Sequence, residues 1–195
     1  MVKLFVSLLL ILCCCSSRPV SVKQIEEYIT NEANGLKKTV QMDESTISIA
    51  YRPTDLIIQQ EISDEHLSSL EVDSIKRKYS DYHYFVVNIS RRGKEALRMV
   101  DNDEYGELFQ TMAFRMPQYV SLTTGSDTIL LVDYAIHPTY GASKSTDLMF
   151  VFDKLNDSDW IQFNLNEFGL GLGNHRFRFM KRDLAMVPSL SHQLK

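Results

Sequence analysis

Apolar residues crowd together at the start of the chain and alternate afterwards. Leu4, Phe5, Val6, Leu8, Leu9, Leu10, Ile11 and Leu12 stand between Lys3 and three adjacent cysteines. A helix crossing the hydrocarbon layer needs about 20 apolar residues, and this run is roughly half that. It has the dimensions of a secretory leader, with Lys3 as its positive start and polar Ser16, Ser17 and Arg18 behind it. No later segment approaches a spanning length without charge. Over residues 23–34 the period becomes helical, with Ile25, Tyr28 and Ile29 on one side and Gly35 as a stop. Residues 36–42 and 46–51 read as strands about a turn at 43–45. Ile47, Ile49 and Tyr51 alternate with Ser48 and Ala50, which defines one buried face.

Arg52 and Pro53 end that pair, and Thr54 can cap a helix that begins near Asp55. A second helix is predicted over 64–79. Its apolar stripe is Leu67, Leu70, Ile75 and Tyr79, and Lys76, Arg77 and Lys78 occupy its last turn as a solvated basic end. Residues 84–89 are apolar on both sides, the mark of a central strand, and a turn follows at 91–94. Residues 104–116 read as a helix that turns Tyr105, Leu108, Phe109, Met112 and Met116 to the core and stops at Pro117.

The remainder is rich in strands. Residues 119–124 and 128–135 flank Gly125, Ser126 and Asp127 as a hairpin. Further strands are predicted at 148–152 and 160–165. Gly169, Gly171 and Gly173 make a corner before 175–180, where Arg176 and Arg178 alternate with Phe177 and Phe179. Residues 183–195 form a short tail with at most one helical turn. Strands outnumber helices, lie in adjacent runs and show no regular βαβ alternation. The expected fold class is therefore α+β: a single domain with a largely antiparallel β-sheet and two to four helices packed on it. The organisation reads as a leader over 1–15, a tether over 16–22 and one globular domain over 23–195.

Composition leaves most of this picture unchanged. With 195 residues, 44% hydrophobic and 24% charged, the chain can build a core, and a disordered chain or a coiled-coil rod is disfavoured. A net charge of −4 gives no basic face for nucleic acid, so no such partner is expected. The cysteines matter more. Cys13, Cys14 and Cys15 are consecutive, and none follows them. The body therefore has no disulfide, no Cys-ligated zinc and no thiol nucleophile.

A leader that ends in cysteine resembles the lipobox of bacterial lipoproteins: Leu, two residues of which the second is small, then Cys. Before Cys15 stand Leu12, Cys13 and Cys14. Before Cys14 stand Ile11, Leu12 and Cys13, and Cys13 follows the bulky Leu12 directly. The order of preference for lipidation is Cys15, Cys14, Cys13. The resemblance implies that the chosen cysteine becomes the mature N-terminus and carries a thioether-linked diacylglyceryl group with palmitate-like chains. Two such chains anchor stably, because each buried CH₂ contributes ~0.8 kcal/mol. Some lipoproteins carry acidic residues after the cysteine as a surface-export signal. Ser16, Ser17, Arg18 and Pro19 lack them, so a periplasm-facing position is expected. A plain secreted leader with coincidental cysteines and a retained palmitoylated anchor are the alternatives.

Catalytic signatures are sparse. Tyr140, Gly141, Ala142, Ser143 and Lys144 resemble the Tyr-x-x-x-Lys of short-chain dehydrogenases, in which Lys lowers the Tyr pKa, and Ser126 lies upstream. That family opens with a strand, a Gly-rich turn and a helix that hold a dinucleotide; here a leader and tether stand in that place. No cofactor is expected. The 169–173 run, Gly-Leu-Gly-Leu-Gly, lacks the Lys-Ser/Thr of a phosphate loop and reads as a β-corner. His66, His83, His137, His175 and His192 show no paired spacing, so no local metal site is expected. Folding could still bring His137 to Asp133. No Gly-x-Ser-x-Gly elbow occurs.

At Tyr51, Arg52, Pro53, Thr54, Asp55 and Leu56, and again over 168–174, the chain resembles uncharacterised envelope lipoproteins of Bacteroidetes-type bacteria. The resemblance implies an envelope location and carries no activity. The expected function is a membrane-anchored, non-catalytic binding or structural module. Its partners would be the lipid bilayer, through N-terminal acyl chains, and another envelope protein. The candidate binding surface is Tyr51, Arg52, Asp55, Arg115, Tyr140, Lys144, Gly171 and Asn174, where polar groups adjoin sharp turns. The plainer reading is that Arg52, Asp55 and Arg115 brace loops as ion pairs. An envelope hydrolase with a site of distant His, Asp and Ser residues is the alternative, and a pocket with two or more convergent titratable groups would mark it. A self-protection protein that occupies a toxin or enzyme is a third possibility.

Overall fold

The computed structural model describes residues 20–63, 68–137, 139, 142–154 and 158–190. Helix α1, Val22–Thr30, starts at a reciprocal cap. The Ser21 N–H donates to Gln24 Oε1 (2.9 Å), and the Gln24 N–H donates to Ser21 Oγ (3.4 Å). Ile25 and Ile29 go to the core. A 3₁₀ turn, Glu32–Asn34, follows and ends at Gly35 with φ 77°. A Cβ at Gly35 would collide with the Asp183 carboxylate, so glycine is required there twice over.

The chain then forms a hairpin of β1 (Lys37–Met42) and β2 (Ser45–Arg52), turning at Asp43 with φ 40°. Helices α2 (Thr54–Ser63) and α3 (Ser69–Ser80) come next, before the long strand β3, Tyr82–Arg91. A short β4 (Lys94–Glu95) folds back on the end of β3. After α4 (Asn102–Phe114) come β5 (Val120–Thr123), β6 (Thr128–Ile129) and β7 (Leu131–His137). The described chain is completed by β8 (Thr146–Asp153), β9 (Trp160–Leu165), β10 (His175–Met180) and the short α5, Lys181–Ala185.

The fold is α+β, with every strand pair antiparallel, but the strands divide between two sheets. One has the order β1-β2-β3-β8-β7 with β4 beside β3; the other is β10-β9-β5-β6. Five fully buried phenylalanines join the inner faces. Phe85 lies 5.4 Å from Phe163 and 5.2 Å from Phe179, and Phe163 also meets Phe150 at 5.5 Å and Phe152 at 5.8 Å, ring centre to ring centre. Tilted and edge-on rings of this kind fill space well and add about 0.5–1.5 kcal/mol per pair beyond burial.

The strands expected at 148–152 and 160–165 both form, in different sheets. One expectation is corrected by this division. The predicted hairpin over 119–135 pairs only at Leu122↔Ile129 and Thr123↔Thr128. After Ile129 the strand bends, exposes Leu130 and joins β8 as β7, with a register shift between Leu131 and Asp133. A bulge of this kind re-aims a strand and lets one segment serve two sheets.

The helical stripes also shift. Leu70 was expected in the core and is 79% exposed. At about 100° per residue it lies across the helix from Val72, which is buried. Val72, Ile75 and Tyr79 instead pack on Ile58 and Ile62 of α2 as a small core separate from the main one. Leu67 lies outside the described residues. In α4, Tyr105 is exposed while Leu108 and Met112 are buried, and Met116 is buried from its own 3₁₀ turn, Met116–Gln118. The body also begins earlier than residue 23. The Val20 N–H donates to the Ser189 carbonyl (3.1 Å), and Val20 bridges Leu190 in parallel. No helix among the described residues is long and apolar enough to cross a membrane.

Candidate functional site

The inner face of β3 is Phe85, Val87 and Ile89. Its other face carries Tyr82, Tyr84, Val86 and Asn88 away from the sandwich. The register extends that outer face sideways, because Val86 opposes Ala50 and Met149, and Tyr84 opposes Arg52 and Val151. Asp147 of β8 opposes Asn88 and, on its other side, His137 of β7. The outer face of an antiparallel sheet is ordinarily solvated and polar. Here its centre is apolar, and α2 and α3 stand over one end, so that helices and sheet enclose a groove of about 1000 Å³.

Tyrosines line the helical end. Tyr84 is buried and its hydroxyl donates to the Tyr79 carbonyl (3.3 Å). Its ring centre lies 6.4 Å from Tyr79 and 6.5 Å from Tyr82. Burial first, then the nearby Tyr79, Tyr82 and Tyr51, hold its phenol well above the ordinary value, so it remains a neutral donor. On the rim, Lys78 Nζ donates to Tyr79 Oη (3.1 Å), which donates to the Glu61 carboxylate (3.0 Å).

The opposite end is polar. Asp147 Oδ1 accepts from Asn88 Nδ2 (2.7 Å) and Ser145 Oγ (2.6 Å), and Ser48 Oγ donates to Asn88 Oδ1 (3.4 Å). Ser145 thus directs its proton to Asp147. Among the described residues no hydrogen bond joins a serine to a histidine, and no cluster of three metal-ligating side chains is found.

The candidate residues do not share one surface. Arg52 lines the groove, whereas its neighbour Tyr51 points to the interior and is buried. The Tyr51 ring meets His83 (5.8 Å) and Phe85 (5.6 Å) edge-on, and burial, then the Asp55 charge, push its phenol up to about 12. Asp55 Oδ2 accepts the Leu190 N–H (3.4 Å). Arg115 caps the C-terminus of α4. Lys144 borders a separate depression with Lys94 and Arg98, and Gly171 borders another with Asp43 and Arg91. Tyr140 and the cysteines Cys13, Cys14 and Cys15 lie outside the described residues. Among the described residues, no ion pair involves Arg52, Asp55 or Arg115, so the loop-bracing pairs are not formed there.

The glycine corner holds an anion, and the anion is the chain's own. Glu167 Oε1 accepts from the N–H groups of Phe168 (3.1 Å), Gly169 (2.8 Å) and Gly171 (2.9 Å), and Oε2 from Gly173. Gly169, Gly171 and Gly173 all have positive φ, which turns successive N–H groups inward as a nest. Asn174 Oδ1 accepts the Glu167 N–H (2.9 Å) and so braces the turn. Partial burial works to raise the Glu167 pKa and is the largest single influence. Backbone donors from Gly173, Gly169, Gly171 and Leu170 together outweigh it and leave the pKa lowered.

Sequence reasoning passed over Glu167 and the groove tyrosines, and weighed His83 only for metal-ligand spacing. The signal for Glu167 was an acid two residues before the first of three alternating glycines. His83 is 6% exposed, and neither ring nitrogen has a hydrogen-bond partner. Burial, then the charges of Lys154 and Lys181, lower its pKa to about 4. Nothing in the local sequence marks that environment.

No protein-family model matches the chain. No curated protein matches it either. Among solved structures it is similar to a DUF4426 family protein from Pseudomonas aeruginosa, with 8% sequence identity over 74% of this chain and 91% of that one and a TM-score of 0.39. A likeness that distant says nothing of what either chain binds.

Proposed function

We propose that the protein is a membrane-anchored envelope lipoprotein whose body is a non-catalytic binding module, with the groove under α2 and α3 as its ligand surface. The observation that carries the binding reading is the groove itself. Apolar side chains from five elements, three tyrosines among them, gather on a sheet face that solvent would otherwise cover. Its volume is at the upper end of the ~300–1000 Å³ of ligand sites. Its rim mixes Arg52 and Lys78 with Glu61, Asp133 and Asp147, which suits a peptide segment of mixed charge better than a single anion. The anchoring reading rests on the leader and its cysteines.

A photoreactive amino acid placed at Met149, in the groove, and at Phe114, outside it, tests the binding reading in cells. A discrete adduct from position 149 that is absent at 114 and lost on Val86→Arg is expected. No adduct, or the same adduct at both positions, overturns it. Anchoring is tested by fatty-acid incorporation and membrane fractionation after Cys15→Ser and Cys14→Ser; if the double change leaves both unaltered, the anchor reading fails.

The hydrolase alternative is favoured by one observation, the convergence of Ser145, Asp147 and His137 at the polar end of the groove. It requires Ser145 to turn from Asp147 to His137. Covalent labelling by a fluorophosphonate, abolished by Ser145→Ala, would support it over the binding reading.

A further inference from the structure

We infer that the anchored domain rests on the bilayer through the corner where Val20 meets Leu190, with Met186 as the apolar contact. The inference depends on the lipid-anchor reading above and adds an orientation and a contact surface to it.

The place where the chain enters the body is fixed. Val20 is hydrogen-bonded to Ser189 and bridged to Leu190, and the Leu190 N–H is held by Asp55 at the start of α2. Leu190 is itself buried. Val20 is therefore part of the rigid body.

The tether is also short. However they are arranged, the five residues from Cys15 to Val20 span at most about 18 Å, and anchoring at Cys13 extends this only to about 25 Å. A lipidated cysteine sits at the headgroup level, so several ångströms of that reach lie within the headgroup layer. A domain of this size has a radius of gyration of about 15 Å and a diameter of roughly 40 Å. The tether is too short to bring the far side of the body to the membrane.

This corner also shows an apolar side chain to solvent. Met186, just after α5, is 61% exposed. Because the Val20–Leu190 bridge is parallel, the N-terminal direction is the same at both residues. From Leu190 that direction leads back through Val187 to Met186, on the N-terminal side of the bridge. The flanking charges are balanced, with Lys23 on Glu27 (3.9 Å) and Arg182 on Asp183 (3.4 Å). The contact is thus apolar and enforced by tether length, with no need for net positive charge. A tether this short holds the corner at high effective concentration beside the lipid, so a weak contact is enough.

Leu130 supplies the control. It is exposed at the β6–β7 corner, while α5 packs beside β1 and β10, across the full width of both sheets. The full chain bearing Met186→Cys or Leu130→Cys is labelled with a thiol-reactive fluorophore. It is then placed in phosphatidylethanolamine and phosphatidylglycerol vesicles that contain headgroup nitroxide lipid. The chain without an added cysteine gives the background. Both sites are exposed, so neither change disturbs packing. Quenching at 186 is expected to exceed that at 130 by about twofold or more, as for a side chain at the interface. Equal quenching overturns the contact and leaves the anchor reading intact. A chain that takes up no fatty acid and stays out of the vesicles overturns both.

Discussion

His83 makes stability depend on acidity in a way that one substitution can isolate. In the unfolded chain its pKa is near 6.5, and in the fold burial, aided by Lys154 and Lys181, lowers it to about 4. Above pH 6.5 both states hold the neutral ring, and the residue adds no pH dependence. Between pH 6.5 and 4 the unfolded chain binds the proton and the native state refuses it, so stability falls as acid is added. At 1.36 kcal/mol per unit, the full difference is worth about 3 kcal/mol by pH 4. Unfolding by urea at several pH values from 7.5 to about 4.5 reads this slope directly. In His83→Leu the slope assigned to this residue disappears, while slopes from carboxylates remain. Leucine also removes two buried nitrogens that lack partners, each such group costing about 1–3 kcal/mol. The variant should therefore be at least as stable as the parent at pH 7.5 and clearly more stable at pH 5. If parent and variant lose stability in parallel, the ring is hydrated or hydrogen-bonded in solution, and the reasoning fails.

Glu167→Gln leaves the nest without its anion and should cost about 2 kcal/mol at pH 7, read as a lower urea midpoint. Because the native pKa of Glu167 is lowered, its contribution is complete above the ordinary carboxylate range, near 4.5. It is lost as pH falls through the lower folded value, so parent and variant should converge in strong acid. Gly35→Ala combines an unfavourable positive φ with a collision against Asp183 and should lower stability by about 2 kcal/mol, visible as a drop in Tm. Phe163→Ala removes the ring shared by Phe85, Phe150 and Phe152 and should cost about 3–5 kcal/mol. Leu70→Ser, by contrast, should stay within about 0.5 kcal/mol of the parent, because Leu70 faces solvent.

Local chemistry made much of the fold legible. Gly35 stops the first helical segment as expected, by ending the 3₁₀ turn after α1, the 43–45 turn sits between β1 and β2, and 84–89 is the inner strand that its two-sided apolarity suggested. The division into two sheets was not legible. Alternation says which side chains share a face, but it does not say which strand lies beside which, and Leu130 is where the chain departs from its hairpin. Leu70 misled for a related reason: two apolar residues two apart on a helix point to opposite sides, and only the packing of α2 shows which one is inside. The candidate site was legible at Arg52, and at Asp133 and His137, which the sequence offered as a pair and which both line the groove. Tyr84 and Val86 read as strand core, because apolar side chains on both faces look the same in sequence whether the second face is filled or open.

The small separate core beneath α2 and α3 bears on how a ligand would enter. Among the described residues only Ile58, Ile62 and Val72 are buried there, while the sheet that forms the groove floor shares the main core. A unit held by so few buried side chains opens at a lower free energy than the sandwich as a whole. The wall made by α2 and α3 should therefore open more readily than the floor, and amide protons in Ser69–Ser80 are expected to exchange with solvent well before those of Tyr82–Arg91.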